Sequence, residues 1–177
     1  MTVSVVIDEI KTAVRDIPDF PKKGILFKDI TPILGDPALF RTAIDTIADH
    51  YRTARISKVA CVEARGFMFG PPVAYSIGAG IILVRKRGKL PYKTVSHTYQ
   101  LEYGTDTLEM HEDAVRPGER ILLVDDLLAT GGTALATATL LKSKGAEVVG
   151  AAFLIELLFL KGRATLKDFD VFSVVTY

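Results

Sequence analysis

Apolar residues recur along this chain in two rhythms. Val3, Ile7, Ile10, Val14 and Ile17 fall three or four residues apart, which predicts an opening amphipathic helix stopped by Pro18. From Phe20 to Ile33 the pattern is mixed and broken by Pro21, Gly24 and Pro32, which predicts an ordered loop region. Asp36-Pro37 then offers an N-cap and a first-turn proline, and Phe40, Ile44, Ile47 and Tyr51 line one face of the helix that follows.

Further along, short continuous apolar runs alternate with helical stretches. Val59–Val62, Ile81–Val84, Ile121–Val124, Val148–Ile155 and Val171–Val175 predict buried strands. Gly66–Ile77 and Thr133–Lys144 predict helices between them, the second stopped by Gly145. Strands apolar on both faces and separated by helices imply an α/β fold, a mostly parallel central sheet flanked by helices. Thr94 to Met110 departs from this rhythm: it is polar, aromatic and β-prone, with Gly104 in its middle, and predicts an antiparallel flap outside the core. With no repeat, linker or low-complexity tract, residues 1–177 read as a single domain.

Composition narrows the function classes. A chain of 177 residues suits one domain with its own core. The formal net charge of +1 supplies no global field for nucleic acid or an anionic membrane, so neither is expected as a partner and any anion site must be local. The apolar stretch Val3–Ile7 is too short for a secretory signal, and Val148–Leu160 is interrupted by Glu156 and too short to span a bilayer. Cys61 is the only cysteine, which excludes an intrachain disulfide, fits a buried strand position, and suits a reducing, cytoplasmic location. His50, His97 and His111 have no partners at catalytic or metal-ligand spacing.

The chemistry concentrates in Ile121 to Thr133: a buried strand, the adjacent acids Asp125 and Asp126, then Leu127-Leu128-Ala129-Thr130-Gly131-Gly132-Thr133 leading into a helix. Parallel sheets bind ligands at the carboxyl ends of their strands. Glycines let backbone N–H groups reach an anion, a helix N-terminus adds positive potential, and Thr130 and Thr133 can donate to phosphate oxygens. Two acids beside such a loop would repel a bare phosphate but can accept from sugar hydroxyls, so the site reads as one for a ribose phosphate. Both acids are expected to be exposed at the strand end. The loop lacks the Gly-Lys-Ser/Thr of a Walker A motif, and no G-x-G-x-x-G fingerprint is present.

The run Val124 to Thr133 resembles the binding motif for 5-phosphoribosyl 1-pyrophosphate (PRPP) of the type I phosphoribosyltransferases. The resemblance implies that Asp125 and Asp126 hold the ribose hydroxyls and that Ala129, Thr130, Gly131, Gly132 and Thr133 cradle the 5′-phosphate. Three more stretches are similar to the adenine-using branch of that family. Phe20 to Ile30 resembles its hood, about residues 1–35 with the first helix, in which Phe27 would stack on the purine while backbone groups of Leu26 and Lys28 read its edge. Glu63 to Pro71 resembles its pyrophosphate loop, with Arg65 as a forked ligand and a non-proline cis peptide at Glu63-Ala64. Some members have Asp-Ser at those two positions, and the resemblance assigns the Glu63 side chain no role. Arg85 to Pro91 follows a strand, and its Lys86 and Lys89 are read as further pyrophosphate ligands.

The flap, about residues 94–110, carries Leu101-Glu102-Tyr103-Gly104, similar to the family's catalytic loop, with Glu102 as the catalytic residue and Tyr103 beside it. Glu102 would assist proton movement on the base or support the ribose cation. The resemblance further implies formation of AMP and pyrophosphate from adenine and PRPP, Mg²⁺ carried by PRPP with no direct protein metal site, and a homodimer. Two alternatives stay open at this stage: a phosphoribosyltransferase for another base, and a PRPP-sensing regulator that does no chemistry. The hood lying N-terminal to the sheet matches the adenine branch, and the intact Glu102 loop favours an enzyme.

Overall fold

A computed structural model describes residues 3–100 and 104–177, with side chains described from Ile7 onward. Helix α1 spans Val3–Ala13 and is shorter than its apolar spacing implied. Strand β1, Arg15–Pro18, follows it and pairs antiparallel with β2, Leu26–Asp29, with Ile17 opposite Phe27. The expected helix therefore stops at Ala13 rather than at Pro18, and the expected loop region from Phe20 to Ile33 is interrupted by β2. The spacing of Val14 and Ile17 fits a helix locally, but the decisive hydrogen-bond partner lies several residues further on.

Helix α2 is the short Thr31–Gly35. Helix α3, Pro37–Tyr51, starts where Asp36 caps it: its Oδ1 accepts from the N–H groups of Ala38 at 2.8 Å and Leu39 at 3.0 Å. Ile44, Ile47 and Tyr51 are buried on its inner face. Then come β3 (Lys58–Val62), α4 (Gly66–Ile77), β4 (Gly80–Lys86), β5 (Thr94–Gln100), β6 (Thr105–His111), β7 (Arg120–Leu128), α5 (Gly132–Ser143) and β8 (Glu147–Glu156). A single 3-10 turn at Leu158–Leu160, the short α6 (Gly162–Thr165) and β9 (Asp170–Thr176) complete the described elements.

The main sheet has the order β5-β6-β4-β3-β7-β8-β9. Strands β4, β3, β7, β8 and β9 are mutually parallel, and β5 and β6 are antiparallel. The flap strands are thus part of this sheet, because β6 pairs with β4 through Arg85↔Glu109 and Lys86↔Leu108. Leu108 and Met110 are buried with Ile82, Val84 and Leu140, which corrects the expectation that the whole flap lies outside the core.

Helices cover both faces. Phe69 and Val73 of α4 pack with Ile44 and Ile47 of α3 on Val59, Cys61, Leu122 and Val124, and Ile10 of α1 joins them. On the opposite face Ala136, Leu140 and Leu141 of α5 pack on Ala60, Ile82 and Ile121. Full burial of each large aliphatic side chain contributes about 1.5–3 kcal/mol. Helix α4 sits close on β3, where a Cβ at Gly70 would collide with Sγ of Cys61, and this fixes its N-terminus above the strand ends. Strand β4 is less covered than its sequence implied: Ile81 is 49% and Leu83 40% exposed. These residues lie opposite Val59 and Cys61, on the α4 side of the sheet. Among the described residues no helix is long and apolar enough to cross a membrane.

Candidate active site

A cavity of about 310 Å³ opens where β3 and β7 end. Its walls are Glu63, Ala64 and Arg65 after β3, Asp125 to Leu128 at the end of β7, the loop Ala129–Gly131, and Gly132 to Ala134 at the start of α5. Phe153 and Val62 supply apolar floor. Asp125 to Thr133 therefore form one continuous wall, while Ile121 to Val124 are buried in the core behind it.

The loop before α5 is shaped by close backbone approach. Gly131 has φ +84°, and a Cβ there would lie 2.8 Å from the carbonyl oxygen of Gly162. Only glycine satisfies both conditions without strain. Thr165 braces the loop from behind, its hydroxyl donating to the Thr130 carbonyl at 2.8 Å. Arg163 holds α6 in turn, with Nε 2.8 Å from Oε1 of the buried Glu156. The result is a preformed turn at a helix N-terminus, the geometry that accepts a phosphate.

The two acids are not placed as expected. Asp126 is 5% exposed and Asp125 only partly exposed, so neither is a free surface carboxylate. Helix α4 lies directly against them: a Cβ at Gly66 would sit 2.9 Å from Oδ1 of Asp125. That oxygen accepts from the N–H of Asp126 at 2.9 Å. Burial and the neighbouring Asp126 push the Asp125 carboxyl well above the usual aspartate range. Burial also raises Asp126, with the Arg65 charge opposing. Arg65 Nε stands 2.8 Å from Oδ2 of Asp126, as an ion pair rather than an aligned hydrogen bond. Both acids line the cavity, and the buried Oδ2 of Asp126 accepts no hydrogen bond from the described residues.

Arg65 also joins the cavity to the hood, since its guanidinium lies 5.0 Å from the centre of the Phe27 ring. Phe27 meets Phe20 edge-on at 5.1 Å. Leu26 is 51% exposed. The Lys28 ammonium is engaged elsewhere, 2.6 Å from Asp16 Oδ1 and 3.8 Å from the centre of the Tyr177 ring. Leu26, Phe27 and Lys28 lie outside the cavity wall itself.

Lys86 and Lys89 also stand off from that wall. Lys86 Nζ is 3.2 Å from Asp106 and Lys89 Nζ 2.5 Å from Oε1 of Glu63. Glu63 is the organising group that sequence reasoning left without a role. Its carboxylate is buried, and Arg85 Nε donates to it at 3.1 Å and the Lys86 N–H at 3.2 Å. Burial raises its pKa, but the bonds from Lys89, Arg85 and Lys86 outweigh that and hold it at about 2. The Glu63-Ala64 peptide is cis, as the resemblance implied. One signal was available: an acid immediately after a strand, and a run of four cations at the end of another, Arg85 to Lys89. Phe153 gave no signal, because it reads as ordinary core. Glu102 and Tyr103 lie outside the described residues.

Comparison with known proteins agrees with this geometry. The family model described as "Phosphoribosyl transferase domain" matches residues 30–176. The adenine phosphoribosyltransferase of Syntrophotalea carbinolica is 56% identical over 170 residues, covering 96% of this chain and 99% of that protein. The crystal structure of adenine phosphoribosyltransferase from Thermoanaerobacter pseudethanolicus has a TM-score of 0.94 at 51% identity, covering 97% of this chain and 99% of that one. The enzyme of Saccharomyces cerevisiae, solved with an iminoaltritol bisphosphate and adenine, has a TM-score of 0.92 at 39% identity, again covering 97% and 99%.

Proposed function

This chain belongs to the adenine phosphoribosyltransferases, and from that premise we propose how its residues carry out the family's reaction. The chain transfers the 5-phosphoribosyl group of PRPP to adenine, giving AMP and pyrophosphate in purine salvage. The C1–O bond to pyrophosphate breaks with its electron pair on the pyrophosphate oxygen. The lone pair of adenine N9 forms the new C1–N9 bond, and the N9 proton leaves.

The preformed turn at Ala129 to Thr133 takes the 5′-phosphate, and this observation carries the assignment of roles. Asp125 and Asp126 accept from the ribose hydroxyls and lie near the ring where positive charge develops. Electrostatic groups aimed at developing charge act most strongly in a water-poor site. Arg65 leaves Asp126 to meet the pyrophosphate, and Glu63 presents Lys89 and the Lys86 backbone on the same side. Phe27, whose ring lies under the Arg65 guanidinium before substrate binds, covers the purine, with the Leu26 and Lys28 backbone reading its edge. Engagement of the Lys28 side chain by Asp16 and Tyr177 supports a backbone role. Glu102 acts on the base or on the ribose cation, with Tyr103 beside it.

Mg²⁺ fits as a substrate-borne ion that neutralises pyrophosphate charge. Its ligands would be PRPP oxygens beside the Asp125–Asp126 pair. We take the chain as one domain, residues 1–177, at work in the cytoplasm. We also take it as a homodimer, in which the half-exposed Ile81 and Leu83 face a second copy.

The test is turnover on a panel of bases with PRPP and Mg²⁺. Adenine is expected to be the preferred acceptor. Equal or faster turnover with hypoxanthine or guanine would overturn the reading.

A further inference from the structure

The hydroxyl of Tyr99, on β5, lies 3.1 Å from Oγ1 of Thr133 in the first turn of α5. Its ring lies beside Gly132, 3.9 Å from where a Cβ would be, and packs on the core beneath α5. Thr133 lines the cavity and Tyr99 does not, so this contact reaches the phosphate loop from outside.

A threonine hydroxyl has one proton and rotates to place it. If Thr133 gave that proton to Tyr99, it would present only lone pairs to the cavity and would repel a phosphate oxygen. If Tyr99 donates instead, the threonine proton is free to point inward. A phenol is the more acidic of the two hydroxyls and so the better donor. A phenol is protonated at neutral pH, and burial raises the Tyr99 pKa further. We infer that Tyr99 is a positioning residue: it donates to Oγ1 of Thr133 and thereby turns the threonine proton toward a phosphate monoester in the loop. Linked hydrogen bonds of this kind polarise and strengthen one another. The inference rests on the phosphate-loop reading given above.

The experiment is calorimetric titration of ribose 5-phosphate into the wild type, Tyr99→Phe, Thr133→Val and the double variant. Phenylalanine keeps the ring beside Gly132 and removes only the donor. Loss of one oriented hydrogen bond is expected to weaken binding about three- to tenfold in Tyr99→Phe, and at least as much in Thr133→Val. The double variant should bind no worse than Thr133→Val, because without the threonine hydroxyl there is nothing to orient. A purely structural role for Tyr99 would make the two losses add. Should Tyr99→Phe fold poorly, Tyr99→Leu takes its place in the same cycle, where a loss that persists in the Thr133→Val background overturns the inference. Additive losses, or Tyr99→Phe binding within about twofold of wild type, would overturn the inference while leaving the phosphate loop intact. If wild type itself fails to bind ribose 5-phosphate, the loop reading fails and the inference with it.

Discussion

At the scale of single residues, the two adjacent aspartates combine useful chemistry with a cost to the fold. Asp125 sits beside Asp126 with its pKa raised by burial and by that neighbour, so its ionised form is disfavoured in the folded protein. A carboxyl raised on folding binds protons more tightly in the native state, and stability therefore falls as pH rises from the ordinary aspartate value toward the raised one. Asp125→Asn removes that penalty and keeps an oxygen for the Asp126 N–H. This variant is expected to melt about 2–4 °C higher than wild type near pH 8, with the gain vanishing near pH 4, as calorimetry across pH would read. Its PRPP-dependent turnover should fall about tenfold or more, since the acceptor proposed for a ribose hydroxyl loses its charge. A lower melting temperature at pH 8 would contradict this account. The acids, the paired glycines and Arg65 were legible in the sequence because the residue types themselves state the chemistry. The tight seat of Asp125 was not, because it is created by the N-terminus of α4 lying against the end of β7, a contact between distant segments.

At the scale of elements, the phosphate loop depends on a part of the chain that no motif flags. Gly162 opens α6, and a Cβ there would collide with the carbonyl of Ala129 and lie 2.8 Å from Cδ1 of Leu128. Gly162→Ala should push the loop out of its turn, although Gly162 itself does not line the cavity. Overpacking of this kind costs about 1–3 kcal/mol, so the variant should melt several degrees lower. Its affinity for ribose 5-phosphate is expected to drop about tenfold, measurable by titration. Unchanged affinity would mean that the loop holds its shape without α6. Elements with a clear rhythm, from α3 to β9, were readable in the sequence. The β1–β2 pair was not, because Val14 and Ile17 continue the helical spacing of the residues before them, and pairing with Leu26–Asp29 overrides it.

At the scale of the whole molecule, the parallel order of the sheet followed from its continuous apolar strands. Its incompletely covered face did not, since Ile81 and Leu83 read as buried in sequence. We expect a sedimenting mass twice that of the 19.3 kDa chain. Leu83→Glu should shift that mass to the single chain by placing a charge in an apolar contact. A wild-type monomer would remove the second copy from the picture. A different consequence follows from Tyr177, whose hydroxyl donates to the Lys11 carbonyl at 2.6 Å across 166 positions of sequence, while its ring lies under the Lys28 ammonium. The phosphate turn is assembled mainly from neighbours in sequence, β7, the loop and α5. The hood is anchored through the most distant pairing described here. Contacts that close long loops form late in folding. A refolding chain is therefore expected to regain its grip on a sugar phosphate first, and to become selective for its base only when Lys11 and Tyr177 have met.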